Sequence, residues 1–242
     1  MTDVEITLPS AADTLPVTEK FAGTFQGEGP STGVGAMFVR FAGCNESCRG
    51  CDTPYTWDAS RFDLRRESQR EVVGELLAWA LGRPEKLVVL TGGEPLLHRN
   101  VVPLALGLRA AGKDVEFETN GTLVPPRELV DAGVRFNVSP KLSVFGAGMP
   151  HGKRIVPAAL RAFQESGLAR FKFVVKDPSV ELAEISALET AYGLDPVWVM
   201  PEGTTADAVL VGMRALAGPV SERGWHLSTR LHVLIWGDER GR

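Results

Sequence analysis

All three cysteines of this 242-residue chain fall in one short loop, as Cys44, Cys48 and Cys51, spaced C-x-x-x-C-x-x-C with no fourth thiol elsewhere. Thiolates hold iron-sulfur clusters, normally four to a cubane, so a set of three leaves one iron open to a molecule that is not protein. Zinc is the competing chemistry. A structural zinc site closes with four ligands, and the four histidines, His98, His151, His226 and His232, all lie far along the chain. A Cys3His zinc knot and three buried thiols therefore stay open beside the cluster. Disulfides fit poorly, because the count is odd, the spacing is crowded and nothing at the N-terminus reads as a signal peptide.

Short apolar runs alternating with helical patterns must position that loop. Residues 36–41, 86–90, 115–118, 135–138, 171–175 and 197–200 read as strands, rich in β-branched and aromatic side chains. Between the first two, Ser68 and Glu71 have the spacing of a capping box, and Val72, Val73, Leu76, Leu77 and Ala80 give a helical apolar face ended by Gly82 and Pro84. Asp177 before Pro178 caps a helix carrying Leu182, Ile185 and Leu188. Six strands alternating with helices predict an α/β fold with a mostly parallel sheet, closing as an incomplete (βα) barrel with helices outside. Residues 1–17, rich in Pro, Thr and Ala, read as a flexible arm, and 18–242 as a single domain. With 26 basic and 30 acidic residues, net charge -4 and no basic block, the chain does not suggest a nucleic-acid surface. No apolar run reaches the roughly 20 residues that span a bilayer. A small-molecule substrate and a cytosolic, thiol-reducing setting are expected.

Every polar cluster follows the carboxyl end of a predicted strand, as when βα loops at one rim build one site. The cysteine loop follows the first strand, Thr91-Gly92-Gly93-Glu94-Pro95 the second, Glu118-Thr119-Asn120-Gly121 the third and Ser139-Pro140-Lys141 the fourth. Lys176-Asp177 follows the fifth and Pro201-Glu202-Gly203 the sixth. The glycine turn lets backbone approach a ligand closely, and its carbonyl or Glu94 can accept from an ammonium group. Ser139 and Lys141 offer a hydroxyl and a point charge. Upstream, Thr24-Phe25-Gln26-Gly27-Glu28-Gly29 joins an N-terminal strand to residues 36–40, as hairpin or loop. There Glu28 is an acceptor for a guanine-like amino edge and Arg40 a planar fork for a carboxylate. The cysteine loop followed by Gly-Gly-Glu-Pro resembles the signature of radical S-adenosylmethionine enzymes.

Within that superfamily the motifs Gln26-Gly27-Glu28-Gly29, Arg40 to Asn45, Cys51-Asp52-Thr53, Thr91 to Pro95, Glu118 to Gly121 and Ser139-Pro140-Lys141 resemble the 7-carboxy-7-deazaguanine synthase family, from about residue 19 to His232. The resemblance implies an abbreviated barrel, a homodimer and an electron donor such as flavodoxin or ferredoxin. It also implies conversion of 6-carboxy-5,6,7,8-tetrahydropterin to 7-carboxy-7-deazaguanine with loss of ammonia, in 7-deazapurine or queuosine biosynthesis. By position, Cys44, Cys48 and Cys51 would ligate a 4Fe-4S cluster and Thr53 would bind Mg2+. Gly50, Cys51, Asp52, Gly93, Glu94, Ser139, Pro140, Lys141, Met200, Pro201, Glu202 and Gly203 would hold S-adenosylmethionine. Phe25, Gln26, Gly27, Glu28, Arg40, Thr91 and His232 would contact the pterin. No side chain is implied as catalyst, since a 5'-deoxyadenosyl radical abstracts the C6 hydrogen, the ring contracts and the cofactor is regenerated.

Two departures stand out. Glu46 sits where relatives commonly carry an apolar residue, and an added carboxylate could lower the cluster potential or simply face water. The chain also continues past His232 to Arg242. Trp225 and Trp236 read as packing residues, and His98, His151 and His226 as loop or surface ones. A glycyl-radical-enzyme activase would share the cysteines and the Gly-Gly-Glu-Pro turn, but has no need of a pterin clamp from Gln26, Glu28 and Arg40. A non-enzymatic zinc module is the remaining competitor.

Overall fold

A computed structural model describes residues 13–242. Its strands are β1 (Thr14–Phe25), β2 (Gly35–Phe41), β3 (Gln69–Val72), β4 (Leu87–Gly92), β5 (Asp114–Thr119), β6 (Arg135–Val138), β7 (Ala169–Val175), β8 (Val197–Pro201) and β9 (His226–Leu227). They form one sheet in the order β3-β1-β2-β4-β5-β6-β7-β8-β9. The strand β1 is antiparallel to β2 and β3, and every pairing from β2 onward is parallel. The sheet does not close, since β3 and β9 remain its edges. The six predicted strands are β2 and β4 to β8, and the incomplete barrel stands.

Period-two alternation sorts the middle strands into two faces. Val115 and Phe117, Phe136 and Val138, and Phe171 and Phe173 join the hydrophobic core with Leu76, Leu104, Phe163 and Ile185 from the helices. The intervening Glu116, Glu118, Asn137 and Lys172 are also largely buried, on the opposite face. A run of aliphatics would suit a filled barrel; these polar residues require partners and make a lined cavity instead.

Two local expectations are corrected. Thr14 to Val17 are strand, with Leu15 and Val17 buried in the core, so the expected arm is shorter than residues 1–17 and its first twelve positions lie outside the described residues. Ser68 and Glu71 form no capping box. Ser68 Oγ donates to the Leu64 carbonyl, and Glu71 lies in β3 paired with Lys20 of β1. The helix starts only at Val73, because residues 69–72 pair with β1 as an edge strand. Asp177 does cap its helix, accepting from Ser179 N at 3.0 Å. Among the described residues no helix is long and apolar enough to cross a membrane.

Candidate active site

The carboxyl ends of the parallel strands surround a cavity of about 680 Å³. All three cysteines face it, and none is disulfide-bonded. Burial pushes the Cys44 thiol up to about 11 and Cys48 up to about 12, so both hold protons until a metal displaces them. Two sulfurs already accept hydrogen bonds: Cys44 from Glu46 N and Cys51 from the Trp57 indole, each at 3.4 Å. Donors aimed at sulfur suit thiolate ligands of a cluster. Among the described residues no three His, Cys, Asp or Glu side chains gather as a site for a single ion. Three thiols lining one open cavity fit a cluster that keeps one iron free of protein. Glu46 does not face water; it is buried, 3.8 Å from Cys48 Sγ, with one carboxylate oxygen unpartnered among the described residues.

The glycine turn explains how the loop is placed. A Cβ on Gly93 would stand 2.1 Å from the Gly43 carbonyl, and one on Gly92 2.2 Å from that of Phe41. Gly93 N donates to the Phe41 carbonyl at 3.0 Å and Glu94 N to that of Gly43 at 2.8 Å. The close approach that demands glycine is therefore to the end of β2 and the turn leading into Cys44. Glu94 is fully buried and does not line the cavity. Its carboxylate accepts from Asn120 N at 2.7 Å, Leu96 N at 3.0 Å and the Thr119 hydroxyl at 2.9 Å, and burial pushes it up to about 7 against those donors. Asn120 and Thr122 in turn bond Asn45 at 2.8 and 2.7 Å, tying the cysteine loop to the end of β5. His98 is a brace as well, with Nε2 at 2.8 Å from the Ala42 carbonyl.

The cavity floor is charged. Lys172 Nζ donates to Glu28 Oε2 at 2.6 Å and Glu118 Oε2 at 2.7 Å. Arg230 donates from Nε to Glu28 at 3.1 Å, from Nη1 to the Gly203 carbonyl at 2.8 Å and from Nη2 to Asp52 at 2.7 Å. Burial alone would raise the Glu28 carboxyl, but Lys172 and Arg230 outweigh it and hold Glu28 far below the usual carboxylate range. His232 Nε2 lies 3.9 Å from Glu28, and burial lowers that imidazole's pKa. Gly27 sits under His232: a Cβ there would be 2.0 Å from Nδ1. Arg40 is held by Glu19 at 2.9 Å, and Glu19 also accepts from the Tyr55 hydroxyl at 2.6 Å. Arg240 lies 3.5 Å from the same carboxylate, stacks 3.8 Å over Tyr55 and bonds Glu67 at 3.0 Å, which brings residues 238–242 to the cavity wall.

The cavity brings together Phe25, Gln26, Gly27, Glu28, Arg40, Gly50, Asp52, Thr53, Thr91, Gly93, Ser139, Pro140, Lys141, Met200, Glu202 and His232 with the cysteines. Glu94, Pro201 and Gly203 stand behind its wall: Pro201 packs on Gly212, and Gly203 serves Arg230. Lys176 and Asp177 fold back onto Glu181, each N–H 2.7 Å from its carboxylate, so the polar contribution of β7 is Lys172 instead.

A sequence model of the Radical SAM superfamily matches residues 38–142. The chain is 36% identical over 238 residues to the 7-carboxy-7-deazaguanine synthase of Pyrobaculum aerophilum, covering 96% of this chain and all 100% of that one. It belongs to the 7-carboxy-7-deazaguanine synthase family. The Halobacterium salinarum synthase is 35% identical, with 93% and 91% of the two chains covered. QueE from Escherichia coli superposes with a TM-score of 0.68 at 26% identity, over 93% of this chain and 98% of that one. As radical S-adenosylmethionine enzymes, family members use a 4Fe-4S cluster, S-adenosylmethionine and Mg2+. Lys172, Glu118, Asn137 and Arg230 are the site residues to which motif spacing assigns no role. Alternation alone could have flagged Lys172 and Asn137, as polar residues between buried apolar neighbours.

Proposed function

We propose that this chain converts 6-carboxy-5,6,7,8-tetrahydropterin to 7-carboxy-7-deazaguanine with release of ammonia. The observation that carries the reading is one cavity lined both by three thiols and by a fixed, ionised carboxylate, Glu28. Cys44, Cys48 and Cys51 would hold the cluster, which with S-adenosylmethionine supplies the radical that takes hydrogen from the substrate.

Ser139 and Lys141, joined by a 3.0 Å hydrogen bond, would meet the polar groups of S-adenosylmethionine beside Gly50, Asp52, Gly93, Met200 and Glu202. Glu94 acts there as a brace. The Thr53 carbonyl is taken by the Thr56 hydroxyl at 2.8 Å, whereas the Thr53 hydroxyl, among the described residues, meets only Cys51 Sγ at 3.8 Å. A hydroxyl so placed suits Mg2+ completed by water and substrate oxygens. Glu28 accepts from the pyrimidine edge of the pterin, with Gln26, Gly27 and His232 shaping that end. Arg40, its Nε fixed by Glu19, presents its remaining N–H groups to the substrate carboxylate. The protein's contribution to rate is this alignment, since the distance between reacting atoms decides where a primary radical abstracts. Likeness to the family also supports a homodimer, a flavodoxin or ferredoxin donor and a cytoplasmic setting, where unpaired thiols stay reduced.

Anaerobic incubation with reductant, S-adenosylmethionine, Mg2+ and the carboxytetrahydropterin, followed by mass analysis, tests the reading. Carboxydeazaguanine is expected. Deoxyadenosine and methionine alone would reject this substrate.

A further inference from the structure

Lys172 is the one polar residue of β7 that reaches the cavity, from between two core phenylalanines, Phe171 and Phe173. Its ammonium is buried and, among the described residues, has two partners, both carboxylates. The two are not equivalent. Glu118 is saturated on its other oxygen, which accepts from Gln26 Nε2 at 3.0 Å and Asn137 Nδ2 at 2.9 Å. Glu28, among the described residues, accepts from Lys172 on one oxygen and Arg230 on the other. A carboxylate offers about four acceptor positions, so Glu28 keeps spare capacity facing the cavity. Three carboxylates, Glu28, Glu118 and Asp52, face two cations, Lys172 and Arg230, which leaves one negative charge in excess.

We propose that Lys172 is a positioning residue for the substrate: by balancing the charge of the saturated Glu118 beside it, Lys172 keeps Glu28 an ionised acceptor for a neighbouring pair of N–H donors. This rests on the pterin reading above, because a 2-amino-4-oxopyrimidine edge presents such a pair. Lys172 itself has no lone pair to offer and need not touch the substrate. Without it, Glu28 and Glu118 would face each other as buried like charges, and the pair would take up a proton. The groups facing that pair are Arg230 and His232 at Glu28, with Asn137 and Gln26 at Glu118. Arg230 is shared with Asp52 and cannot neutralise both carboxylates.

The test uses reconstituted holoenzyme under anaerobic conditions, with kcat and KM for carboxytetrahydropterin measured from about pH 6 to 9 for wild type, Lys172→Met, Lys172→Arg and Lys172→Met/Glu118→Gln. For Lys172→Met, KM should rise about tenfold or more while kcat falls less than about threefold, with KM recovering as pH rises and the shared proton leaves. Lys172→Arg should keep KM within about fivefold of wild type. The double variant removes equal and opposite charges; its KM should return to within about threefold and lose its pH dependence. That rescue separates positioning from a structural role, and it holds even if Lys172→Met alone does not fold. A double variant no better than the single one, or a KM that stays fixed while kcat drops, overturns the proposal. If wild type itself fails to convert the pterin, the substrate reading falls and takes this inference with it.

Discussion

Around Cys44 the cavity wall is set by backbone packing, with Gly92 and Gly93 pressed against the end of β2 and Glu94 pinning the turn to β5. Around Glu28 it is set by ion pairs, Lys172 and Arg230 gripping one carboxylate from two sides. The first arrangement tolerates almost no change of volume and the second almost no change of charge. The difference follows from what each region must hold. A loop that keeps thiols at fixed spacing is built on sterics, while an edge-recognising acceptor is built on buried charge, which is costly to break and directional.

The largest break in that contrast is at the sulfurs. Cys48→Ala should abolish the cluster and lower product formation by about a thousandfold or more, read as iron content and product yield, because two thiolates cannot replace three. Steric packing predicts the next effect. Gly93→Ala places Cβ against backbone that cannot step aside and should cost about 1–3 kcal/mol of stability in a denaturant titration. Gly27→Ala meets instead the His232 ring, which can rotate; it should cost less stability but raise the pterin KM. Equal losses of stability in both would erase the distinction.

The buried Glu94 sharpens the comparison by pH. Its folded carboxyl is raised from 4.5 to about 7, so between those values the folded state keeps a proton the unfolded state has lost. Stability should therefore fall as pH rises through that window and level off above it, with Glu94→Gln flattening the slope. A stability that rises across the same range would contradict this. The smallest effect belongs to Arg240. Its side chain is half exposed, so Arg240→Ala should change stability by less than about 1 kcal/mol. Through Glu19 it should still raise the pterin KM about twofold to threefold, as Arg40 loses part of its support.

The same contrast explains what could be read from the chain before its fold. The cysteine loop and the glycine turn are local, so their spacing shows in sequence, as do the six strands that carry them. The floor joins residues 28, 118, 137, 172 and 230, brought together only when the sheet forms. Gln26-Gly27-Glu28 pointed there, but its cations did not. Glu94 and the glycines are legible as a motif, but spacing does not show that the Glu94 side chain turns away from the cavity or that the glycines also meet backbone. Glu71 reads equally well as a helix cap or an edge-strand residue, and pairing with β1 decided it.

Paramagnetic resonance of the reduced, anaerobically reconstituted protein tests the central claim most directly, before and after S-adenosylmethionine is added. Three thiolates holding a cubane with one open iron predict about four irons per chain and a signal that changes when the cofactor occupies the free corner. Tightly held zinc, or a cluster signal indifferent to S-adenosylmethionine, would contradict the account.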